Sequence, residues 1–534
     1  MEFDRLGIML DCSRNGVLTV ASVKHYMDIL SKLGYNCLML YTEDTFEVDN
    51  QPYFGYLRGR YSKAEIKEID KYALSKGIEL IPCIQTLAHL NAIVRWSEYR
   101  DFTDINDILL AGDERTYKLI EDIFATLSEC FTTRIVHIGM DEAHKVGLGK
   151  YLDIHGFEDR TKILTTHLSK VCEISEKYGF KPLIWSDMFF RLAAGGQYYA
   201  KDVVFDKSVC DIVPKELGLV YWDYYSADKS HYDSMIKCHQ QFNNEIWFAG
   251  GLWCWNGFAP RNAFSIDTVN SALPSLKENN IKNAFFTLWG DDGRECSPFA
   301  VIPSLFYTAC LAKDITDEQQ IKDLFYKEFG IAFDDFMLLD LPDTTDCPPR
   351  SNHNPEKYMF YNDVFYGIFD CTIDDDFVPR YNECAKKLEK LADNEEYGYL
   401  FDAYAKFCKF MQLKYTIGYR TRKAYKENNK VELKNLAEND YANLIILLKD
   451  FYTAHKNVWF TDNKPFGFDV QDIRMGGMER RIESSQQRLR LYLNGEIDRI
   501  EELEEEILPE FKNKYMYFNK WSTNATVNVI THIG

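Results

Sequence analysis

No stretch of this 534-residue chain approaches the roughly 20 consecutive apolar residues that a membrane-spanning helix requires, so a membrane protein is not expected. The amino terminus, Met1-Glu2-Phe3-Asp4-Arg5, lacks a basic region leading into an apolar run, and a cytoplasmic location is the simplest expectation. Positive charge is in short supply. The 62 Lys and Arg stand against 82 Asp and Glu, and the formal net charge of -20 speaks against nucleic acid as a partner, because phosphate binding needs basic surface. Cysteine is not scarce, at 14 residues, but it lacks a pattern. Cys37, Cys83, Cys130, Cys172 and Cys254 sit singly in apolar segments, without metal-ligand spacing, so buried free thiols are expected and no metal or cofactor is called for. Nor does any period of roughly 20–50 residues stand out as a repeat.

What the chain does have is alternation. From residue 6 to about 312, short apolar or β-branched runs alternate with longer helical patterns, as βα units of a parallel sheet do. Eight strands are predicted, at 6–14, 35–44, 78–89, 134–142, 181–190, 217–225, 245–256 and 281–292. Helical spacing follows most of them, at 19–33, 63–76, 113–130, 161–178, 231–242, 265–277 and 298–311; the connection 191–216 is unclear. Eight units of this size predict a (β/α)8 barrel over 1–312, with the chemistry at the carboxyl ends of its strands. Those ends carry Arg14, Glu43 and Asp44, His89, Asp141 and Glu142, Trp185 and Asp187, Tyr224 and Tyr225, Trp253 and Trp255, and Trp289 and Asp291. Residues 313–534 read as a mainly helical accessory domain, with helices near 399–419, 433–455 and 476–508. Its long amphipathic patterns make a homodimer a further expectation.

The segment Arg134-Ile135-Val136-His137-Ile138-Gly139-Met140-Asp141-Glu142-Ala143-His144 says most about function, because an apolar run delivers two adjacent carboxylates to a strand end. In a continuing pleat Asp141 and Glu142 would face opposite ways. If the chain bends there, both can converge on one cleft, where repulsion and burial separate their proton affinities as glycoside cleavage requires. Asp141-Glu142-Ala143-His144 also spells a helicase acidic box, but no phosphate-cradling Gly-Lys-Ser/Thr loop precedes it. His137 reads as a core histidine rather than a metal ligand.

His137-Ile138-Gly139-Met140-Asp141-Glu142 resembles the His-x-Gly-x-Asp-Glu signature of glycoside hydrolase family 20, the β-N-acetylhexosaminidases. Arg14 resembles the family's sugar-binding arginine, Glu43-Asp44 its acidic pair after strand two, His89 its strand-three histidine and Trp185 its strand-five pocket tryptophan. Trp289-Gly290-Asp291 resembles its Trp-Gly-Glu motif, one methylene shorter. A barrel starting at residue 6 matches the compact subgroup that lacks an amino-terminal α/β domain. The family's strand-seven tyrosine is absent, since the chain there reads Trp253-Cys254-Trp255-Asn256; Tyr225 or Tyr224 of strand six is the expected substitute.

The resemblance implies an exo-acting enzyme on terminal β-linked N-acetylglucosamine or N-acetylgalactosamine of an oligosaccharide or glycoconjugate. Glu142 would be general acid and base, and Asp141 would orient the substrate's 2-acetamido group, which supplies the nucleophile. Tyr225 or Tyr224 would hold the acetamide, Trp185, Trp253, Trp255 and Trp289 would wall the sugar, and Arg14, Glu43, His89 and Asp291 would contact it. Two rivals stay open: a barrel glycosidase with Asp187 or Asp291 as nucleophile, and a sugar-binding protein without catalysis.

Overall fold

A computed structural model of the chain describes residues 2–343, 354–373, 375–508, 520–525 and 528. Eight short parallel strands form a closed barrel: β1 (Arg5–Asp11), β2 (Cys37–Tyr41), β3 (Glu79–Cys83), β4 (Ile135–His137), β5 (Lys181–Trp185), β6 (Gly218–Trp222), β7 (Ile246–Gly251) and β8 (Asn283–Leu288). Each pairs with its neighbour in the chain, and β8 closes on β1 in the register Gly7 to Phe285. Strands such as Cys37–Tyr41 and Asn283–Leu288 are buried along their whole length, which is why they read as continuous apolar runs rather than alternating ones.

The helices are α1 (Val20–Leu33), α2 (Lys63–Ser75), α3 (Glu114–Cys130), α4 (Arg160–Lys177), α5 (Asp187–Ala193), α6 (Lys229–Gln240), α7 (Asn262–Glu278) and α8 (Ile302–Ala312). Their starts are encoded locally. Thr19, Asp113, Asp159 and Asp228 accept from early helix N–H groups, and Ser62 with Glu65 forms a reciprocal capping box on α2. The unclear fifth connection holds only α5 and a short helix, Lys207–Ile212, each too brief to show a helical period.

Most strands end earlier than their sequences suggest. β4 stops at His137, four residues short of Asp141, and the residues predicted to extend β5 past Trp185 turn into α5. The physical reason at three ends is left-handed backbone: Glu43, His89, Met140 and Glu142 have φ of 46°, 58°, 69° and 52°, values that no strand can carry.

By compactness the chain divides into two units. The first comprises Met1–Leu252, Ser265–Trp289 and Ser304–Ile321, and the second Trp253–Phe264, Gly290–Pro303 and Lys322–Gly534. The second contains α9 (Pro355–Tyr361), α10 (Phe377–Glu389), α11 (Gly398–Lys426), α12 (Tyr441–Asp462) and α13 (Phe468–Leu493). α13 starts eight residues before the predicted 476 and stops at Leu493, where Gly495 takes a left-handed φ of 75°. The tyrosine-rich stretch 358–366 packs this unit's interior: Phe360 is fully buried, its ring 4.7 Å from Phe258 and 5.1 Å from Phe410. The tail 526–533 lies outside the described residues except for Asn528, as does most of the proline-rich stretch 340–355. The cysteines among the described residues are free thiols, most of them buried.

Phe360→Ala should cost about 3–5 kcal/mol, the usual range for deleting a buried ring, read as a lowered midpoint in urea unfolding.

Candidate active site

The positive-φ turns after β2, β3 and β4 bring side chains from separate strands to one end of the barrel. Asp141 lies at the centre, its side chain only 13% exposed. One oxygen accepts from Gln85 Nε2 at 2.7 Å, and the other lies 3.1 Å from His89 Nε2. Burial alone would raise the Asp141 pKa, but the His89 charge and the hydrogen bonds from His89 and Gln85 outweigh it and push it down to about 2. Burial would conversely lower His89, whereas the charge of Asp141 and its hydrogen bond lift it to about 9. The pair is therefore ionised across the neutral range.

Gln85 carries more of the site than the sequence suggested. Its amide N–H groups also donate to the Tyr41 hydroxyl at 2.9 Å, and its carbonyl accepts the Met140 N–H at 3.0 Å. Tyr41 donates to Glu43 at 3.0 Å, Glu43 lies 3.6 Å from Arg14 Nε, and Arg14 bonds Asp11 at 3.0 Å. A continuous polar chain thus runs from Asp141 to Asp11 across β1 to β4. The Arg14 guanidinium sits over the rings of Tyr41 and Trp289, at 4.8 and 4.7 Å. Burial raises Glu43 to about 7 despite Arg14. Gly139 is required where the chain passes this network: its φ is 73°, and a Cβ there would stand 2.1 Å from Gln85 Oε1.

Glu142 faces a different environment. Its side chain is 45% exposed, 3.7 Å from His89 Nε2 and 3.9 Å from Arg191 Nη2. Its left-handed backbone is held from below: the Glu142 N–H donates to Asp187 Oδ2 at 3.2 Å, and the same oxygen accepts from Arg191 Nε at 3.1 Å. Asp187 is fully buried, and burial with the neighbouring charge of Asp141 raises it to about 7. Asp187, proposed as a rival nucleophile, is thus enclosed and engaged with the backbone.

Trp185 and Trp289 are buried 6.1 Å apart, and Trp185 packs on His137 at 4.3 Å. His137 is a core residue: its Nδ1 accepts the Gly139 N–H at 3.1 Å, and burial lowers its pKa to about 3. The two tyrosines of strand six part company. Tyr225 is 42% exposed, its backbone N–H bound to Asp223 and its ring 6.1 Å from Tyr199. Tyr224 is buried, and its hydroxyl takes a hydrogen bond from the Trp289 side chain and feels the charge of Asp141. Arg14, Glu43, His89, Asp141, Glu142, Trp185, Tyr224 and Trp289 therefore all belong to the barrel unit. Trp253, Trp255 and Asp291 belong to the second unit, where Trp253 and Trp255 are buried and stacked at 4.2 Å and Asp291 opens the turn Asp291–Gly293. Sequence reasoning passed over Gln85, Tyr41, Asp11 and Arg191. The first three share the signal that found the others, a polar group at or just past the carboxyl end of a barrel strand.

Residues 3–206 match the model of the glycosyl hydrolase family 20 catalytic domain, and residues 334–520 match that of the glycoside hydrolase 20C C-terminal domain. The chain belongs to glycoside hydrolase family 20. Among relatives of this family 20 chain, bovine (Bos taurus) hexosaminidase D is 24% identical over 279 residues, covering 49% of this chain and 73% of that protein. Human (Homo sapiens) hexosaminidase D is 24% identical over 223 residues, covering 39% of this chain and 42% of that protein. An exo β-N-acetylglucosaminidase from Vibrio harveyi, solved with N-acetylglucosamine, aligns with a TM-score of 0.48 at 15% identity, covering 63% of this chain and 58% of that one.

Asp187→Asn tests the support beneath Glu142. The folded Asp187 pKa of about 7 lies above its ordinary 3.8, so between those values the folded protein holds a proton that the unfolded chain has released. Stability therefore falls as pH rises through that window, and the variant should show a shallower fall between pH about 4 and 7 in thermal melts. Its kcat should drop roughly tenfold or more, since one of the two N–H groups loses its charged acceptor.

Proposed function

We propose that this family 20 protein is an exo-acting β-N-acetylhexosaminidase that removes terminal non-reducing β-linked N-acetylglucosamine or N-acetylgalactosamine, using the sugar's own acetamide as nucleophile. The observation that carries the reading is the division between the adjacent acids: Asp141 is enclosed and held ionised by His89 and Gln85, while the Glu142 carboxyl is open. Substrate-assisted glycosidases need this pair of roles, and family 20 is among them.

Glu142 gives its proton to the glycosidic oxygen as the bond from that oxygen to the anomeric carbon breaks. The acetamide oxygen attacks the anomeric carbon from the opposite face, forming a cationic oxazolinium. Asp141 accepts the acetamide N–H with a lone pair not used by Gln85 or His89, and its charge stabilises the cation in a dry site. Water then attacks the anomeric carbon, Glu142 takes its proton back, and configuration is retained. Tyr224 is the tyrosine we assign to the acetamide, because it is enclosed beside Trp289 whereas Tyr225 is open to solvent. Trp185 and Trp289 wall the acetamide, and Arg14 and Glu43 read ring hydroxyls. The assignment of Trp253, Trp255 and Asp291 to the sugar rests on the family resemblance. A protein nucleophile at Asp187 has less support, because its carboxylate is fully buried beneath the backbone of Glu142.

Aryl β-N-acetylglucosaminide and galactosaminide should both be tried, with a thiazoline mimic of the oxazolinium as inhibitor. Glu142→Gln should lower kcat by about 10²–10⁴ without unfolding. Asp141→Asn should lower it by about 10²–10³ on acetamido substrates. Turnover unaffected by the thiazoline, or equal cleavage of glucosides without the acetamide, would overturn substrate assistance.

A further inference from the structure

Two loops at the catalytic end of the barrel carry an aromatic group that the reaction does not use. Residues 42–62 follow β2 and begin with Glu43, and residues 84–113 follow β3 and contain His89. Tyr53 and Tyr56 from the first loop meet Trp96 from the second, with ring centroids 5.4 Å (Tyr53 to Trp96), 5.5 Å (Tyr56 to Trp96) and 6.0 Å (Tyr53 to Tyr56) apart. The group is open to solvent: Tyr56 is 44% exposed and its neighbour Leu57 is 67% exposed.

Packing alone accounts poorly for this arrangement. Leu57 holds a φ of 63°, a left-handed conformation that costs a non-glycine residue strain and that an exposed leucine does not recover by burial. The indole N–H of Trp96 is enclosed without a hydrogen-bond acceptor, a forfeit that a purely structural tryptophan would avoid. Yet the base beneath the rings is rigid. Arg58 Nε bonds Asp44 at 2.9 Å, Phe54 packs on Phe46, and Gln51 bonds both Tyr99 and Asp122. In the other loop Asp107 accepts the N–H of His89 at 3.1 Å, and the short helices Asn91–Val94 and Ser97–Arg100 flank Trp96. Rule-breaking residues on a well-tied base mark a surface kept for contact.

We propose that Tyr53, Tyr56 and Trp96 form a stacking subsite for the leaving-group sugars of an oligosaccharide substrate, taking neutral pyranose rings. The proposal rests on the hexosaminidase reading, which puts the terminal sugar at Asp141 and sends the rest of the glycan outward past Glu142. His89 touches both acids, and Trp96 follows it by seven residues of mostly helical turn, on the order of 10 Å at helical rise. Pyranose C–H faces match flat aromatic rings. The tyrosine hydroxyls and the Arg95 guanidinium, 5.5 Å from the Trp96 ring, supply polar edges for sugar hydroxyls.

The test compares aryl β-N-acetylglucosaminide with β-linked N-acetylglucosamine di-, tri- and tetrasaccharides on the full chain. In the unaltered protein KM should fall as the saccharide lengthens. Trp96→Ala and Tyr56→Ala should each raise KM for the tri- and tetrasaccharide by about tenfold, with kcat and all aryl-substrate constants within twofold. Trp96→Phe, which keeps a ring, should restore most of the loss. A KM independent of length, or variants that depress aryl and saccharide turnover equally, would overturn the subsite. So would a dimer in sedimentation that Trp96→Ala dissociates while saccharide KM stays unchanged. Absence of aryl turnover by the folded, unaltered protein would instead overturn the functional reading beneath it.

Discussion

A carboxylate kept ionised out of water is the constraint on which the catalytic end of this barrel is built. Isolated, Asp141 would take up a proton rather than stay charged in so enclosed a place. His89 and Gln85 prevent that, and each is itself committed further along, His89 toward Glu142 and Gln85 toward Tyr41 and the Met140 backbone. The polar chain onward through Glu43 and Arg14 to Asp11 then fixes the ends of β1 and β2. Removing one member leaves the next with an unpaired buried group, so the network acts as a unit rather than as a sum of contacts.

Holding that network costs backbone strain. Glu43, His89, Met140 and Glu142 all sit in the left-handed region, at about 1–3 kcal/mol each for residues with side chains. The closed barrel supplies the rigidity that makes this tolerable, because each strained residue lies within a few positions of a strand hydrogen-bonded on both sides. The strain answers the difficulty posed by a run of adjacent acids. In a continuing strand Asp141 and Glu142 would point to opposite faces. The reversal of φ at Met140 and Glu142 lets one turn inward to Gln85 and the other stay open between His89 and Arg191.

How much of this could be read from the chain follows from the same physics. Strand cores were legible because buried parallel strands are continuous apolar runs, and helix starts because their caps are local. Strand ends were not, since nothing in the letters Met140-Asp141-Glu142 announces positive φ at residues that usually avoid it. The acids, Arg14, His89 and the tryptophans were visible as chemistry at strand ends. Gln85 was not, because an amide carries no charge to attract notice, although it touches more of the network than any residue that was named. Asp187 was seen but assigned to chemistry as a rival nucleophile, and only its buried bond to the Glu142 backbone suggests support instead. Tyr224 and Tyr225 are adjacent and chemically identical, so burial alone separates them.

The proton inventory of the site follows from crowding. Asp11, Glu43, Asp141, Glu142 and Asp187 share the neighbourhood of three cationic groups, Arg14, His89 and Arg191. Five negative charges against three positive ones in a low-dielectric space is unfavourable, and the excess is relieved where solvent is least able to help. Glu43 and Asp187, both raised to about 7, are where the relief occurs. Below that pH they are neutral and the remaining charges balance, with Asp11, Asp141 and Glu142 against Arg14, His89 and Arg191. Above it the site gains negative charge, which strengthens the hold on a cationic oxazolinium but strains the enclosed network that keeps Asp141 in place. Neutrality is thus the point at which electrostatic support for the intermediate and the integrity of its scaffold pull in opposite directions.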